Sequence, residues 1–257
     1  MNAPLPALFV GHGSPMNCVA DNAFTRDMAR LGAALPRPQA VLVVSAHWLT
    51  RGSRVPSARQ PKTIHDFYGF PAELYELNYP AAGSPELAGR VAEATAGAVR
   101  PDDQWGLDHA AWMVLRTMYP AADIPVLELS LDVQLTPLEH YELGRMLAPL
   151  RDEGVLVMGS GNIVHNLRLI DWNEDAPTLP WAREFDSWVE AAVADHRHED
   201  LVAYLARGPN ALLAAPTPDH YWPLLYALAL QRDGESVQTA HMSWQHSTVS
   251  MRCLQIG

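Results

Sequence analysis

Lysine is nearly missing from this chain. Of 18 basic side chains only Lys62 is a lysine, and it sits in a polar stretch with no sign of a desolvating pocket. A lysine-based Schiff base is therefore a poor candidate mechanism. Cysteine is almost as scarce. Cys18 and Cys253 cannot build a disulfide framework, and they lack the C-x-x-C spacing of a structural zinc site. No apolar run approaches the ~20 residues that span a bilayer. The N-terminal stretch has no basic region and only a short apolar run, unlike a signal peptide. Basic charge is in deficit, with 18 cationic against 29 acidic side chains and a net charge of −11. That balance argues against nucleic acid or an anionic membrane as partner. A cytoplasmic location is expected.

Apolar residues make up 48% of the 257, enough for a sizeable core and too many for wholesale disorder. The clearest strand is the continuous apolar run 40–45, of the kind buried on both faces of a parallel sheet. Similar runs occupy 7–10, 124–129 and 155–158. Helical patterns fall between them, over 21–35, 85–99, 110–118, 137–150, 182–196 and 221–230. Ser84-Pro85 and Thr136-Pro137 are N-cap and first-turn proline signals. Segments 237–243 and 248–254 read as two strands forming an antiparallel edge, and 50–61 as a long loop. Strands alternating with helices predict a single α/β domain over 1–257, a layered α/β/α fold with a mostly parallel, mixed central sheet.

Eleven histidines are present, and their positions are informative. His12, His47 and His165 each lie just past the carboxyl end of an expected strand, where open α/β sheets place their ligand sites. His220 stands on a proline-stiffened loop before a helix. An isolated histidine is usually a hydrogen-bonded or surface residue, but four on one sheet edge suit a divalent metal such as zinc or iron. His109 falls at a helix start, beside Asp108 as a possible cap. His140, His196 and His198 read as solvated helix residues, while His241 and His246, flanking the terminal turn, stay undecided with a bland role favoured.

Other templates fail. The segment Gly159-Ser-Gly-Asn-Ile-Val lacks the last glycine of a dinucleotide loop, although its glycine-rich turn could cradle an anion. There is no GxSxG elbow, Walker loop or HExxH pair. Cys18 reads as a small buried hydrophobe. Trp48, Phe67, Tyr68, Trp112, Tyr221 and Trp222 cluster near the histidine motifs. Most are expected in the core, with some walling a flat ligand.

Five motifs occur in order: GHGSP, SAHW, LDHAAW, SGNIVHN and PTPDHY. Together they resemble the class III extradiol ring-cleavage dioxygenases, in the branch that contains the DOPA 4,5-dioxygenase family and its bacterial homologues. The likeness runs from residue 11 to Ser250-Met-Arg252. It implies that His12, His47 and His220 ligate a metal, with iron(II) expected for activity and zinc(II) possible in purified protein. It also implies that His165 is the acid/base and can approach a resting metal as a fourth ligand, and that His109 lines the substrate pocket. Substrates would be a catechol and dioxygen. Ala110 stands where the family motif usually carries glycine, and its methyl is expected to narrow the pocket. Two rival readings keep the same histidines: a zinc hydrolase, whose bound water has a pKa near ~7, and a non-catalytic metal-binding relative.

Overall fold

The computed structural model describes residues 3–173 and 176–257. Its strands are β1 (Ala7–Gly11), β2 (Ala40–Thr50), β3 (Arg54–Pro56), β4 (Arg100–Asp102), β5 (Val126–Asp132), β6 (Val155–Gly161), β7 (Val237–His241), β8 (Trp244–Gln245), β9 (Val249–Ser250) and β10 (Cys253–Ile256). The helices are α1 (Ala23–Ala34), α2 (Ala72–Glu76), α3 (Pro85–Ala94), α4 (His109–Met118), α5 (Pro137–Met146), α6 (Pro180–Ala194), α7 (His198–Val202), α8 (Pro209–Ala214) and α9 (Trp222–Ala229). Six strands form the central sheet in the order β5-β2-β6-β1-β10-β7. The first four run parallel, while β10 and β7 pair antiparallel at the edge. The fold is mixed α/β with a mostly parallel central sheet.

Period-two alternation divides the core into two layers. Leu42 and Val44 of β2, with Leu127, Leu129 and Val157, pack toward α5, α6 and α9. Val41 and Val43, with Leu8, Val10, Leu156 and Met158, face α1 and α4. Because both faces are covered, these strands read as continuous apolar runs. No helix among the described residues is long and apolar enough to cross a membrane.

Several expected boundaries shift for local reasons. The helix expected over 85–99 ends at Ala94, where the Thr95 hydroxyl bonds back to the Val91 carbonyl and Ala96 and Gly97 take positive φ. The 50–61 loop contains β3, which pairs with β4. Gly159 to Gly161 form no turn; they end β6, so no anion cradle exists there. Their glycines serve close packing instead, since a Cβ on Gly161 would lie 2.2 Å from the His220 carbonyl oxygen.

At the far edge, the Arg252 guanidinium and the Ser250 hydroxyl both bind the buried Asp186 carboxylate of α6. This anchors the C-terminal strands beneath the residues that carry the histidines.

Candidate metal centre and substrate cavity

Each site histidine is delivered by a different structural device. His12 follows β1, and its backbone N–H bonds to the Gly161 carbonyl at the end of the neighbouring β6. Gly13 must turn the chain with φ +60, and a Cβ there would strike the Met251 sulfur. His47 lies within β2 rather than after it. Between Val44 and Leu49 the register against β5 shifts, and this bulge presents His47 at the sheet edge. His220 precedes α9, with its carbonyl accepting from Asn162 N–H just beyond β6. His109 opens α4, capped by Asp108, which accepts from the Ala110 N–H. His165 is pinned by a bridge to Val249 and a hydrogen bond from its N–H to the Ala214 carbonyl.

These devices bring all five imidazoles together. Ring centroids of His12 lie 5.2 Å from His47 and 5.4 Å from His220, and those of His47 and His220 are 4.9 Å apart. One ligand nitrogen from each of these three lies within 4.8 Å of the others. His165 stacks flat on His220 at 3.6 Å, and His109 packs 3.9 Å from His47. A second group, His47, Asp66 and His109, also offers atoms within 4.8 Å of one another, but there Asp66 already serves as partner to both rings.

The hydrogen-bond network assigns the tautomers. Ser160 Oγ donates to the Ala110 carbonyl at 2.7 Å, so it accepts from His12 Nδ1 at 3.1 Å. Nδ1 of His220 donates to Asp219 Oδ2. Nδ1 of His47 faces Asp66 Oδ2 at 3.3 Å. Every Nδ1 is thus committed to oxygen, leaving three Nε2 lone pairs turned inward. Nε2 of His12 and Nε2 of His47 stand 3.2 Å apart, and the buried Nε2 of His220 has no hydrogen-bond partner. Convergent lone pairs, one orphaned in the interior, repel one another unless a cation lies among them. The donor set fits a divalent metal bound by imidazole.

Electrostatics agree. Burial, then repulsion from neighbouring imidazoles, pushes His12 and His47 well below the ordinary histidine range. His165 is lowered by the same causes against an opposing pull from Asp219. All three are therefore neutral at pH 7, the form in which an imidazole nitrogen can bind a metal or accept a proton. Burial raises Asp66, but its hydrogen bonds and ion pairing with His109 outweigh that and hold it below the usual carboxylate value. Asp219 is lowered likewise by His220. The two anions offset the charge of a bound cation.

Behind the site lies an acidic pair that apolar patterning conceals. Glu128, inside β5, accepts from the Asp108 N–H and from Trp105 Nε1. Burial and Asp108 push Glu128 well above its usual value, while burial and Asp66 push Asp108 up to about 6. Asp108 in turn accepts from Ser45, whose Oγ accepts from the His47 N–H. The pair therefore braces both the β2 bulge and the start of α4.

The imidazoles line a cavity of about 570 Å³, with Phe67, Tyr68, Phe70, Leu167, Ile170 and Trp172 among its walls. Of the six aromatics marked in sequence, only Phe67 and Tyr68 reach it. Trp48 stacks on Trp105, and Trp112, Tyr221 and Trp222 are core residues. Ala110 is buried outside the cavity lining, so its methyl does not narrow the pocket; its carbonyl instead holds Ser160. A groove of about 800 Å³ between α5 and α7 has charged side chains for half of its lining, and none of the five site histidines reaches it.

A family model for the catalytic LigB subunit of aromatic ring-opening dioxygenase matches residues 7–253. The chain belongs to this family. A protein of Escherichia coli (strain K12) named 4,5-DOPA dioxygenase extradiol is 46% identical over 98% of this chain and 95% of its own. A Beta vulgaris protein of the same name is 41% identical over 94% of this chain and 92% of its own. The crystal structure of an uncharacterized protein from Escherichia coli K12 superposes with a TM-score of 0.86 at 44% identity. It covers 98% of this chain and all of that one.

The remaining histidines correct the sequence reading in part. His140 is fully buried, not solvated: α5 packs on α9, and His140 Nδ1 meets the Tyr226 hydroxyl at 3.0 Å. His198 is half-buried and bonds Tyr141 and Gln231, while His196 is exposed. His241 is buried between Asp27 and Ser243. His246 lines the cavity. Sequence reasoning also passed over Asp66, Ser160 and Asp219. Asp219 adjoins His220 in its motif, which was the available signal, whereas Ser160 is flanked by glycines and bonds His12 of a different motif, so nothing local marked it.

Proposed function

We propose that this chain is an iron(II)-dependent extradiol dioxygenase that opens the ring of a catechol beside its diol, with a DOPA-like catechol as substrate. One catalytic domain spans 1–257, and a cytoplasmic enzyme accounts for the composition. The observation that carries the reading is the convergence of three Nε2 atoms, that of His220 without any hydrogen-bond partner, on the floor of an aromatic-walled cavity, with two further imidazoles beside them. His12, His47 and His220 would hold the ion. A bound metal ion supplies Lewis acidity that favours the ionised diol and a common site for both reactants.

The chain's own residues do the rest. Phe67 and Tyr68 offer faces to a flat ring, and the aromatic walls restrict water. His165 Nε2 or Nδ1 takes a phenolic proton and later returns it; its neutral form makes it competent to accept one at pH 7. His109, set by Asp66 at 2.9 Å, assists in orienting the diol. Asp66, Asp219 and Ser160 hold the ligating rings in their tautomers.

Oxygen uptake by protein reconstituted anaerobically with iron(II), across DOPA, caffeate and protocatechuate, tests the proposal. Yellow ring-opened product with oxygen consumption is expected. Ester or amide turnover by the zinc-loaded form without oxygen consumption would replace it with a hydrolase.

A further inference from the structure

The functional reading explains the floor of the cavity but not its rim. The imidazoles at the floor are mostly buried, whereas Tyr68 is 92% exposed and Trp172 is 70% exposed, so these two mark the mouth. No arginine or lysine lines the cavity among the described residues. A substrate carboxylate therefore has no guanidinium or ammonium waiting for it, and Asp66 repels it from the floor. Polar groups on the far side are mostly engaged. Gln245 commits its amide to the Ser14 N–H and to Asn17, and the Ser14 hydroxyl accepts from the Met16 N–H.

His246 differs. It lies 5.3 Å from Trp172 between ring centroids, and its Nδ1 is buried without a hydrogen-bond partner. Its backbone is also unusual. His246 and Ser247 take φ of 50 and 62 in succession, in the turn that joins β8 to β9. Two consecutive non-glycine residues in the left-handed region are strained, and such strain persists only where the surroundings enforce it. Here the enforcement is visible. The His246 carbonyl accepts from the Asp171 N–H at 3.3 Å, the Thr248 N–H at 2.8 Å and the Ser247 hydroxyl at 2.6 Å. Glycine or asparagine would hold this turn with less strain, yet neither places an imidazole at the rim.

We propose that His246 is the specificity-determining residue of the site: it donates a hydrogen bond to the acceptor, a carboxylate in the favoured substrates, on the catechol's side chain. The inference rests on the dioxygenase reading and names the substrate class within it, catechols bearing a short acidic side chain. Trp172 covers the stem of that side chain.

The experiment compares wild type with His246→Gly and His246→Asn, each iron(II)-loaded, by oxygen uptake on 4-methylcatechol and on dihydroxyphenylpropionate. Glycine relieves the backbone strain, so the variant keeps its fold; metal content and melting temperature check this. The expected result is a fall of about ten- to a hundredfold in kcat/KM for dihydroxyphenylpropionate, carried mainly by KM. For 4-methylcatechol the value stays within about twofold. Asparagine tolerates the left-handed region and retains an N–H donor, so it recovers most of the loss. Equal loss on both catechols, or no loss on the acid, overturns the proposal. Wild-type protein that consumes oxygen with neither catechol overturns the functional reading itself, and this inference with it.

Discussion

Two sets of buried or half-buried histidines sit in this fold, and they obey different rules. At the sheet edge, His12, His47 and His220 each give one nitrogen to an oxygen partner and turn the other toward a shared point. In the packed flanks, His241 has both nitrogens occupied, by Asp27 and Ser243. His140 bonds one tyrosine and stacks 4.3 Å from Trp222. Burial alone therefore does not mark a ligand. The distinguishing feature is convergence of acceptor atoms whose opposite ring nitrogens are fixed as donors. An open nitrogen does not mark a ligand either, since His140 Nε2 is buried without a hydrogen-bond partner; several such atoms aimed at one point do.

The sharpest way to break this comparison is to remove one converging ring. His220→Ala is expected to abolish metal binding and lower turnover by about a thousandfold or more, because two imidazoles hold a divalent ion poorly. Elemental analysis after dialysis reads this directly, and full metal occupancy would show that the three rings are not the ligands. His165→Ala should separate the two functions within the cluster. Metal stays at the wild-type level while turnover falls by about 10²–10⁴, the range of a lost general acid/base. Unchanged turnover would remove His165 from the mechanism. A milder effect is expected for Asp219→Asn, which weakens the grip on the His220 tautomer. Metal affinity should fall about 10–100-fold, measured by competition with a chelator. An unchanged affinity would mean the carboxylate contributes only packing.

How far this contrast was legible in sequence follows from which signals are local. The parallel strands were plain because strands buried on both faces are apolar throughout, as in Val41 to Val44. The short β3 and β4 were hidden, since Arg54 and Arg100 sit in polar stretches that only pairing makes into a sheet. The converging histidines stood out because each ends or interrupts such a strand or precedes a helix. Their supports did not. Asp66 comes from a loop far in sequence from His47, and the link between them exists only after folding. Glu128 is a charged residue in an apolar strand, a departure whose purpose, bracing Asp108, is invisible in one dimension. His140 looks solvated in sequence for a different reason. Leu143 and Leu147 follow it at three and seven residues, the spacing of one helical face, so the pattern placed it in the core. Histidine's ordinary preference for the surface points the other way.

His140 also gives the gentlest test of the comparison, because it should affect stability and leave the reaction alone. Burial lowers its pKa from 6.5 to about 4, against smaller opposing effects from Asp132 and Glu139. Above pH 6.5 the ring is neutral in both folded and unfolded chains and contributes no pH dependence. Between 6.5 and 4 the unfolded chain takes up a proton that the folded one refuses, so folding stability falls as pH drops. The full effect is about 3 kcal/mol by pH 4. His140→Asn keeps an acceptor for the Tyr226 hydroxyl and has no proton to gain. Its melting temperature should therefore decline less than that of wild type between pH 7 and pH 5, with oxygen uptake at pH 7.5 within about twofold. Parallel decline in the two proteins would mean that the acid sensitivity arises elsewhere. A simultaneous loss of metal would mean that His140, packed on Trp222 two residues beyond His220, supports the ligand cluster after all.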